Sequence, residues 1–329
     1  MNILRGLKAE GKSIILITHK LKEIKAVADR CTVLRRGQVV GTVDVASTPE
    51  ATMAEMMVGR AVNFSTNKAQ CSPGRTLLTV SQLNVQNSRK VLAVKDLSFE
   101  VQAGEIVGVA GVEGNGQTEL VEALTGLRAV VSGTILLGAK DMTHASVKER
   151  IEAGIAHIPE DRQKRGLVLD YTLAENLVLK TYAKLPHAKG VFLRPMAMEE
   201  TAQKIIKSFD VRSGQGPATL VRSMSGGNQQ KAIVGREIEL NPELLIAVQP
   251  TRGLDVGSIE YIHHRLVDQR NLGKAVLLIS LELDEILQLS DRILVLAHGE
   301  KVGEMVAAEA DPNTIGLMMA GIGKEDTAP

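Results

Sequence analysis

Apolar and polar positions follow two kinds of rhythm along this chain. From Thr76 onward, LLTVSQLNV and LAVKDLSFEV carry the two-residue period of half-buried strands. EIVGVAG then enters a glycine-rich turn that leads into TELVEALTGL, where apolar residues return every three to four positions as on one face of a helix. ELLIAV and AVLLIS are unbroken apolar runs of strand length, each followed by a helical pattern, which is how buried parallel strands read. The stretch from about Ile151 to Arg236 is richer in helical periodicity and predicts a helical insert. Strands and helices in alternation predict an α/β fold.

The pattern also repeats. GKSIILITHKLKEIKAVADRCTVLRRGQVVGTV, from Gly11, aligns without a gap on GKAVLLISLELDEILQLSDRILVLAHGEKVGEM, from Gly273, at a constant offset of 262 positions. Identities at Gly11/Gly273, Leu21/Leu283, Glu23/Glu285, Asp29/Asp291, Arg30/Arg292 and Gly37/Gly299 span strand, helix and hairpin patterns, which points to duplication. The second copy has a long lead-in, whereas the first begins almost at the repeat. By repeat logic the first domain lacks a front on the order of 180 residues. Residues 1–64 then read as the end of one domain (a strand, a helix and a hairpin), and 65–75, with Pro73 and Gly74, as a linker. Residues 76–323 read as a complete second domain and 324–329 as a tail. A short N-terminal domain in its own right is the alternative.

Composition narrows the function. A net charge of +1 from 39 basic and 38 acidic residues gives no general attraction to nucleic acid, and no nucleic-acid partner is expected. Cys31 and Cys71 lie far apart without a CxxC spacing, so neither a disulfide framework nor a zinc site is predicted, and a reducing cytosol fits. No apolar run approaches the roughly 20 residues that cross a bilayer, so any membrane association is expected to come through another subunit.

The chemistry starts at GVEGNGQT, residues 111–118, which matches the phosphate-loop spacing GxxxxGK[ST] at every required position but one. Gly111, Gly114 and Gly116 free backbone N–H groups to cradle phosphate oxygens, with Asn115 among them, and Thr118 is placed to reach a magnesium ion. The lysine is replaced by Gln117, so its point charge on the phosphates is absent. A glycine-rich structural turn is the competing reading of this segment alone.

SMSGGNQQK, from Ser223 to Lys231, followed by a strand and PTRGLD, decides between them. The chain resembles the ABC transporter ATPases: SGGNQQK matches their signature motif, LLIAVQPTRGLD their Walker B and D-loop, and ITHK with its repeat ISLE their switch-histidine region. It is most similar to the tandem-cassette subunits of simple-sugar and nucleoside importers, and GVEGNGQTEL, IPEDRQKRGLVLD and QPTRGLDVG favour the nucleoside branch. The resemblance implies a P-loop cassette with a helical subdomain at about 151–236, preceded by the end of another cassette. ATP and magnesium are the implied cofactors.

Departures from the family gather at one site. The acidic pair that ends Walker B is Val248 and Gln249 here, and a neutral amide is no general base. The switch histidine aligns with Leu281, although His19 retains it in the first copy. Loss of these groups together with the lysine predicts a non-hydrolytic site. In the family, two cassettes pair head to tail, each ATP lying between the Walker motifs of one and the signature of the other. Ser225, Gly226, Gly227 and Gln229 are therefore expected to serve, in trans, the site of the first cassette, with His19 as its switch histidine. A helix N-cap without a ligand is the plain alternative.

His157 precedes IPEDR, where the family contacts nucleotide and permease, so Glu160 and Asp161 are expected coupling residues. His263 and His264 are adjacent and make a poor metal pair, Met318 and Met319 read as core, and Cys31 reads as a buried thiol. The implied function is that of the energising subunit of a nucleoside or simple-sugar importer, peripheral on the cytoplasmic face of the membrane. Its expected partners are the transmembrane permease, the first cassette and, indirectly, an extracellular substrate-binding protein. A regulatory module that binds nucleotide or a partner without transport is the second hypothesis, and a stand-alone P-loop hydrolase, which Gln117, Val248 and Gln249 disfavour, the third.

Overall fold

The computed structural model describes residues 1–18, 20–35, 37–61, 68 and 72–322. His19, Cys71, most of the expected linker and the 324–329 tail lie outside the described residues. The chain forms two compact units, one of residues 1–65 with 253–261, the other of residues 66–252 with 262–329.

The smaller unit contains α1 (Asn2–Ala9), α2 (Leu21–Val27), β1 (Arg30–Arg35), β2 (Gln38–Asp44) and α3 (Glu50–Val58). Leu21, Ile24, Val45, Met53 and Ala54 form its core, which Val256 joins from far along the chain. An ion pair between Arg60 and Glu260, 2.7 Å apart, adds to that attachment. This is why residues 253–261 belong here, which a boundary drawn at residue 64 does not capture.

Its elements return 262 positions later. Leu283–Leu289, Arg292–Ala297 and Glu300–Val306 match α2, β1 and β2 end for end. Even the strand irregularity at Val33/Leu34 recurs at Val295/Leu296. Thr18 Oγ1 accepts from the Lys20 N–H at 3.1 Å, as Ser280 Oγ accepts from the Glu282 N–H at 3.0 Å. The likeness is interrupted one element earlier, between α1 and α2. Ala275–Ile279 is a buried strand with a parallel neighbour on each side, whereas the expected strand at Ile14–Ile17 does not form and Ile15 and Ile17 are 94% and 95% exposed. A strand exists through its partners, and without them its N–H and C=O groups bond to water. Cys31 is half-buried rather than buried for a related reason: among the described residues β1 pairs with β2 alone, while Ile293 sits in a strand flanked on both sides.

In the larger unit the chain runs through β3 (Thr76–Gln86), β4 (Leu92–Gln102), β5 (Ile106–Ala110), α4 (Gln117–Thr125), β6 (Ser132–Leu137), β7 (Lys140–Asp141) and α5 (Val147–Glu152). It continues through β8 (Ile155–Ile158), α6 (Leu173–Val178), the short pair β9 (Ala188–Lys189) and β10 (Phe192–Leu193), α7 (Pro195–Ser208) and α8 (Gly226–Glu239). The last elements are β11 (Leu244–Val248), α9 (Val256–Asn271), β12 (Ala275–Ile279), α10 (Leu283–Leu289), β13 (Arg292–Ala297), β14 (Glu300–Val306) and α11 (Pro312–Met319). The first residues of α9 are those already counted with the smaller unit.

Six strands form a sheet in the order β14-β13-β5-β12-β11-β8, parallel except for β14. A second, antiparallel sheet has the order β4-β3-β6-β7. Every residue of β5, β11 and β12 is buried, which accounts for their unbroken apolar sequences. One core joins the two sheets through Leu78, Leu83, Leu97, Val107, Leu277 and Leu294, with Leu120 and Leu124 of α4 inside it. Because β8 pairs with β11, the helical segment starts after Ile158, later than the expected Ile151, and α8 carries it to Glu239. No described helix is long and apolar enough to cross a membrane.

The missing strand gives a direct test. In hydrogen exchange, the amides of Ile14 to Ile17 are expected to exchange close to the unstructured rate, and those of Leu277 to Ile279 only on global opening. Equal protection of the two segments would show that the first one pairs in solution.

Candidate nucleotide-binding site

β5, β11 and β12 run parallel, so the segments that leave them emerge at one edge of the sheet, where α/β proteins place ligands. The phosphate loop leaves β5 there, Gln249 leaves β11, and Ser280 and Leu281 leave β12. The Gln249 N–H donates to the Ile279 carbonyl at 2.7 Å, which ties the last two exits together.

The loop has the form of an anion cradle. Gly114 and Gly116 have φ of +91° and +95°, which only glycine adopts without strain. A Cβ on Gly116 would lie 2.2 Å from the Ala93 carbonyl oxygen, so this position excludes every side chain. Gly116 caps α4 without a side-chain bond, which leaves the first N–H groups of the helix directed at the loop. Thr118 is exposed in that first turn.

Two residues expected to face nucleotide instead hold the loop. Gln117 is only 7% exposed, and its Nε2 donates back to the Val112 carbonyl at 3.0 Å. The loop is thus filled from within by a neutral amide. Asn115 is buried as well: its Nδ2 donates to the carbonyls of Leu296 and Met319, both at 3.4 Å, and its Oδ1 accepts from the His298 N–H at 3.0 Å. Sequence spacing places a residue in a loop but leaves open which way its side chain turns.

Val248 is buried, Gln249 half-buried at φ +44°, and Leu281 half-buried. At these three positions, where the resemblance leads one to expect an acid, a base and an imidazole, the side chains are apolar or neutral. Among the described residues no group of three His, Cys, Asp or Glu is arranged to hold a metal ion. The same region of the chain holds a buried polar group that the sequence did not announce. Thr251 Oγ1 donates to Glu285 Oε1 at 2.7 Å, and His263 Nε2 lies 2.8 Å from the same oxygen. Burial pushes the Glu285 carboxyl up, but its contacts with His263, Thr251 and Ser280 outweigh that and hold it below the usual range.

The signature segment opens α8. Ser225 is its N-cap residue, yet its Oγ caps no backbone N–H and accepts from Asn228 Nδ2 at 2.9 Å. Gly226 and Gly227 supply the next N–H groups. Gln229, expected to bind nucleotide, turns inward, 2% exposed, and donates to the Val221 carbonyl at 3.0 Å.

The loop after β8 touches more than Glu160 and Asp161 suggested. Glu160 pairs with Arg252. Asp161 Oδ1 accepts from the N–H groups of Gln163 and Lys164, both at 3.0 Å, and so caps the turn Arg162–Gly166. Arg165 reaches Glu122 on α4 at 2.7 Å. The Gly166 carbonyl accepts from Arg236 Nη1 at 2.9 Å. Next to Arg236, the fully buried Glu237 accepts from Lys180 at 2.5 Å and from the His157 N–H at 3.2 Å. The signal for this pair was present as two charges inside the apolar stripe AIVGREI. Burial lowers the His157 imidazole to about 4, with the cations Lys180, Arg165 and Arg236 adding and Glu237 opposing.

The family model described as "ABC transporter" matches residues 94–252. That segment is an ABC transporter ATP-binding domain. Over 321 residues the chain is 52% identical to the nucleoside import ATP-binding protein NupA of Lactococcus lactis, covering 98% of this chain and 63% of that protein. It is 50% identical over 321 residues to the guanosine import ATP-binding protein NupO of Bacillus subtilis, again covering 98% of this chain and 63% of that protein. A nucleotide-free ATP-binding cassette from an ABC transporter shares the fold with a TM-score of 0.62 at 20% identity, covering 74% of this chain and 99% of that cassette. The chain therefore spans less than two thirds of the length of these two relatives, and the cassette fold read from the sequence is the fold observed.

His157 makes the stability of this ATP-binding domain depend on pH. The unfolded chain takes up a proton below about pH 6.5, whereas the folded imidazole refuses one until about 4. The contribution is complete above that window and is lost as pH falls through it, at about 1.4 kcal/mol per pH unit. Urea unfolding followed from about pH 7 to about pH 5 is expected to show a slope that His157→Gln flattens. An unchanged slope in the variant would remove His157 as the cause.

Proposed function

We propose that this chain is part of the ATP-hydrolysing subunit of a nucleoside importer, and that its ATP-binding domain acts chiefly by presenting the signature segment to ATP held by another cassette. One observation carries this reading: Gln117 plugs the phosphate loop beside a neutral wall of Val248, Gln249 and Leu281, while the N-terminal end of α8 stands uncapped at Ser225. The first arrangement offers backbone N–H groups to a phosphate but no charge and no base. The second offers a hydroxyl, N–H groups and a helix dipole to an anion arriving from outside.

The smaller unit is read as the end of the preceding cassette, supported by the return of its elements at the 262-residue offset. His19 would be the switch histidine of that cassette's site. ATP with magnesium is the cofactor of the intact site; at the degenerate site Thr118 is the residue left to reach a metal. Glu160 and Asp161 belong to the loop that faces a transmembrane permease, which places the subunit on the cytoplasmic face of the membrane. An extracellular binding protein delivers the cargo. The relatives named for nucleoside and guanosine import favour a nucleoside over a simple sugar.

Two variants in the complete two-cassette subunit with its permease test the division of labour. Ser225→Arg puts a bulky cation where the γ-phosphate would meet α8 and is expected to cut transport-coupled hydrolysis by at least about 100-fold, about 3 kcal/mol of barrier. Gln117→Ala removes no charge from a phosphate and is expected to cost below about 1 kcal/mol. Equal losses would mean that the degenerate site carries catalysis. This chain by itself is expected to release phosphate from ATP no faster than buffer, and robust turnover abolished by Gln249→Ala would overturn that.

A further inference from the structure

We propose that Arg162 is a positioning residue whose guanidinium braces the signature end of α8 against the segment leaving β11 at Arg252. The inference rests on the reading above, in which the Ser225 end of α8 serves a phosphate bound elsewhere.

The geometry is that of a crossbar. Arg162 Nη1 donates to the Arg252 carbonyl at 3.0 Å. On the other side, a Cβ on Gly226 would lie 2.8 Å from Arg162 Nη2 and 3.2 Å from Cζ, so the guanidinium lies against the Gly226 α-carbon. Gly226 has no positive φ to explain it. Its missing side chain makes room for the arginine. Arg252 is gripped a second time, through its side chain, by Glu160 of the same loop. Two residues of one loop, Glu160 and Arg162, therefore fix where Arg252 sits relative to Ser225.

Two features mark this as a functional geometry rather than simple packing. Arg162 Nε is buried and has no hydrogen-bond partner among the described residues, a cost that folding alone does not reward. The guanidinium also lies beside the positive end of an uncapped helix, which is unfavourable until an anion reaches that end. A guanidinium suits the task because its donors sit in a rigid plane that can touch two backbones at once, which an ammonium cannot do.

Steady-state ATP hydrolysis by the complete subunit with its permease, at varied ATP, tests the assignment. Arg162→Gln is expected to lower kcat by about 20-fold or more while KM stays within about threefold and the melting temperature is essentially unchanged. Arg162→Lys should restore only a minor part, and Gly226→Ala, whose Cβ displaces the guanidinium, should reproduce the loss. A kcat within about twofold of the parent in Arg162→Gln overturns the proposal, as does a loss that follows a fall in melting temperature. A rise in KM as large as the fall in kcat would make Arg162 a nucleotide contact and overturn the positioning role. Ser225→Arg is the control: if it leaves kcat intact, the reading of the signature fails independently of Arg162.

Discussion

Because β5, β11 and β12 are parallel and buried on both faces, their backbone groups can be satisfied only by one another. That pairing fixes their register, and the register fixes which residues stand together where the strands end. Gln117, Val248, Gln249 and Leu281 share an edge for this reason, although up to 164 positions separate them in the chain. The sheet does not depend on what those residues are. A scaffold made by main-chain pairing needs no lysine, acid or imidazole at its edge, and Gln117 and Asn115 satisfy carbonyl and N–H groups of the loop's surroundings from inside.

The charges that the edge lacks are found around the helical segment. Glu237 lies fully buried between Lys180 and Arg236, and Arg165 and Arg128 converge on Glu122. Removing one partner of such a buried pair leaves an uncompensated charge, so these groups hold their elements in one arrangement. The contacts connect α8, β8, α4 and the loop after Ile158. The neutral edge and the charged surroundings of the helical segment thus differ in what holds them, main-chain pairing in one and buried ion pairs in the other.

Much of this was legible from local pattern. The apolar runs at ELLIAV and AVLLIS, the glycine-rich turn and SGGNQQK each depend on residues close in sequence, and each lies where the pattern placed it. The failures share a cause. Ile14 to Ile17 carry the same signal as Val276 to Ile279, but the signal is conditional on neighbouring strands that the described residues of the smaller unit do not supply. Asn115, Gln117 and Gln229 were placed in the right segments, yet their amides satisfy buried carbonyls instead of facing outward. Val256 joining the cluster of Met53, and Glu285 receiving Thr251 and His263, are long-range matches that no window of sequence contains.

The tether of Asn115 reaches Met319, 204 residues away, and also Leu296 and His298. During synthesis the phosphate loop therefore leaves the ribosome long before the residues that set its shape exist. It must wait, with its amides hydrated, until β13 and α11 have been made and docked. A nascent chain halted short of α11 would carry the glycine-rich motif in full and still lack the Met319 carbonyl that Asn115 meets in the finished domain.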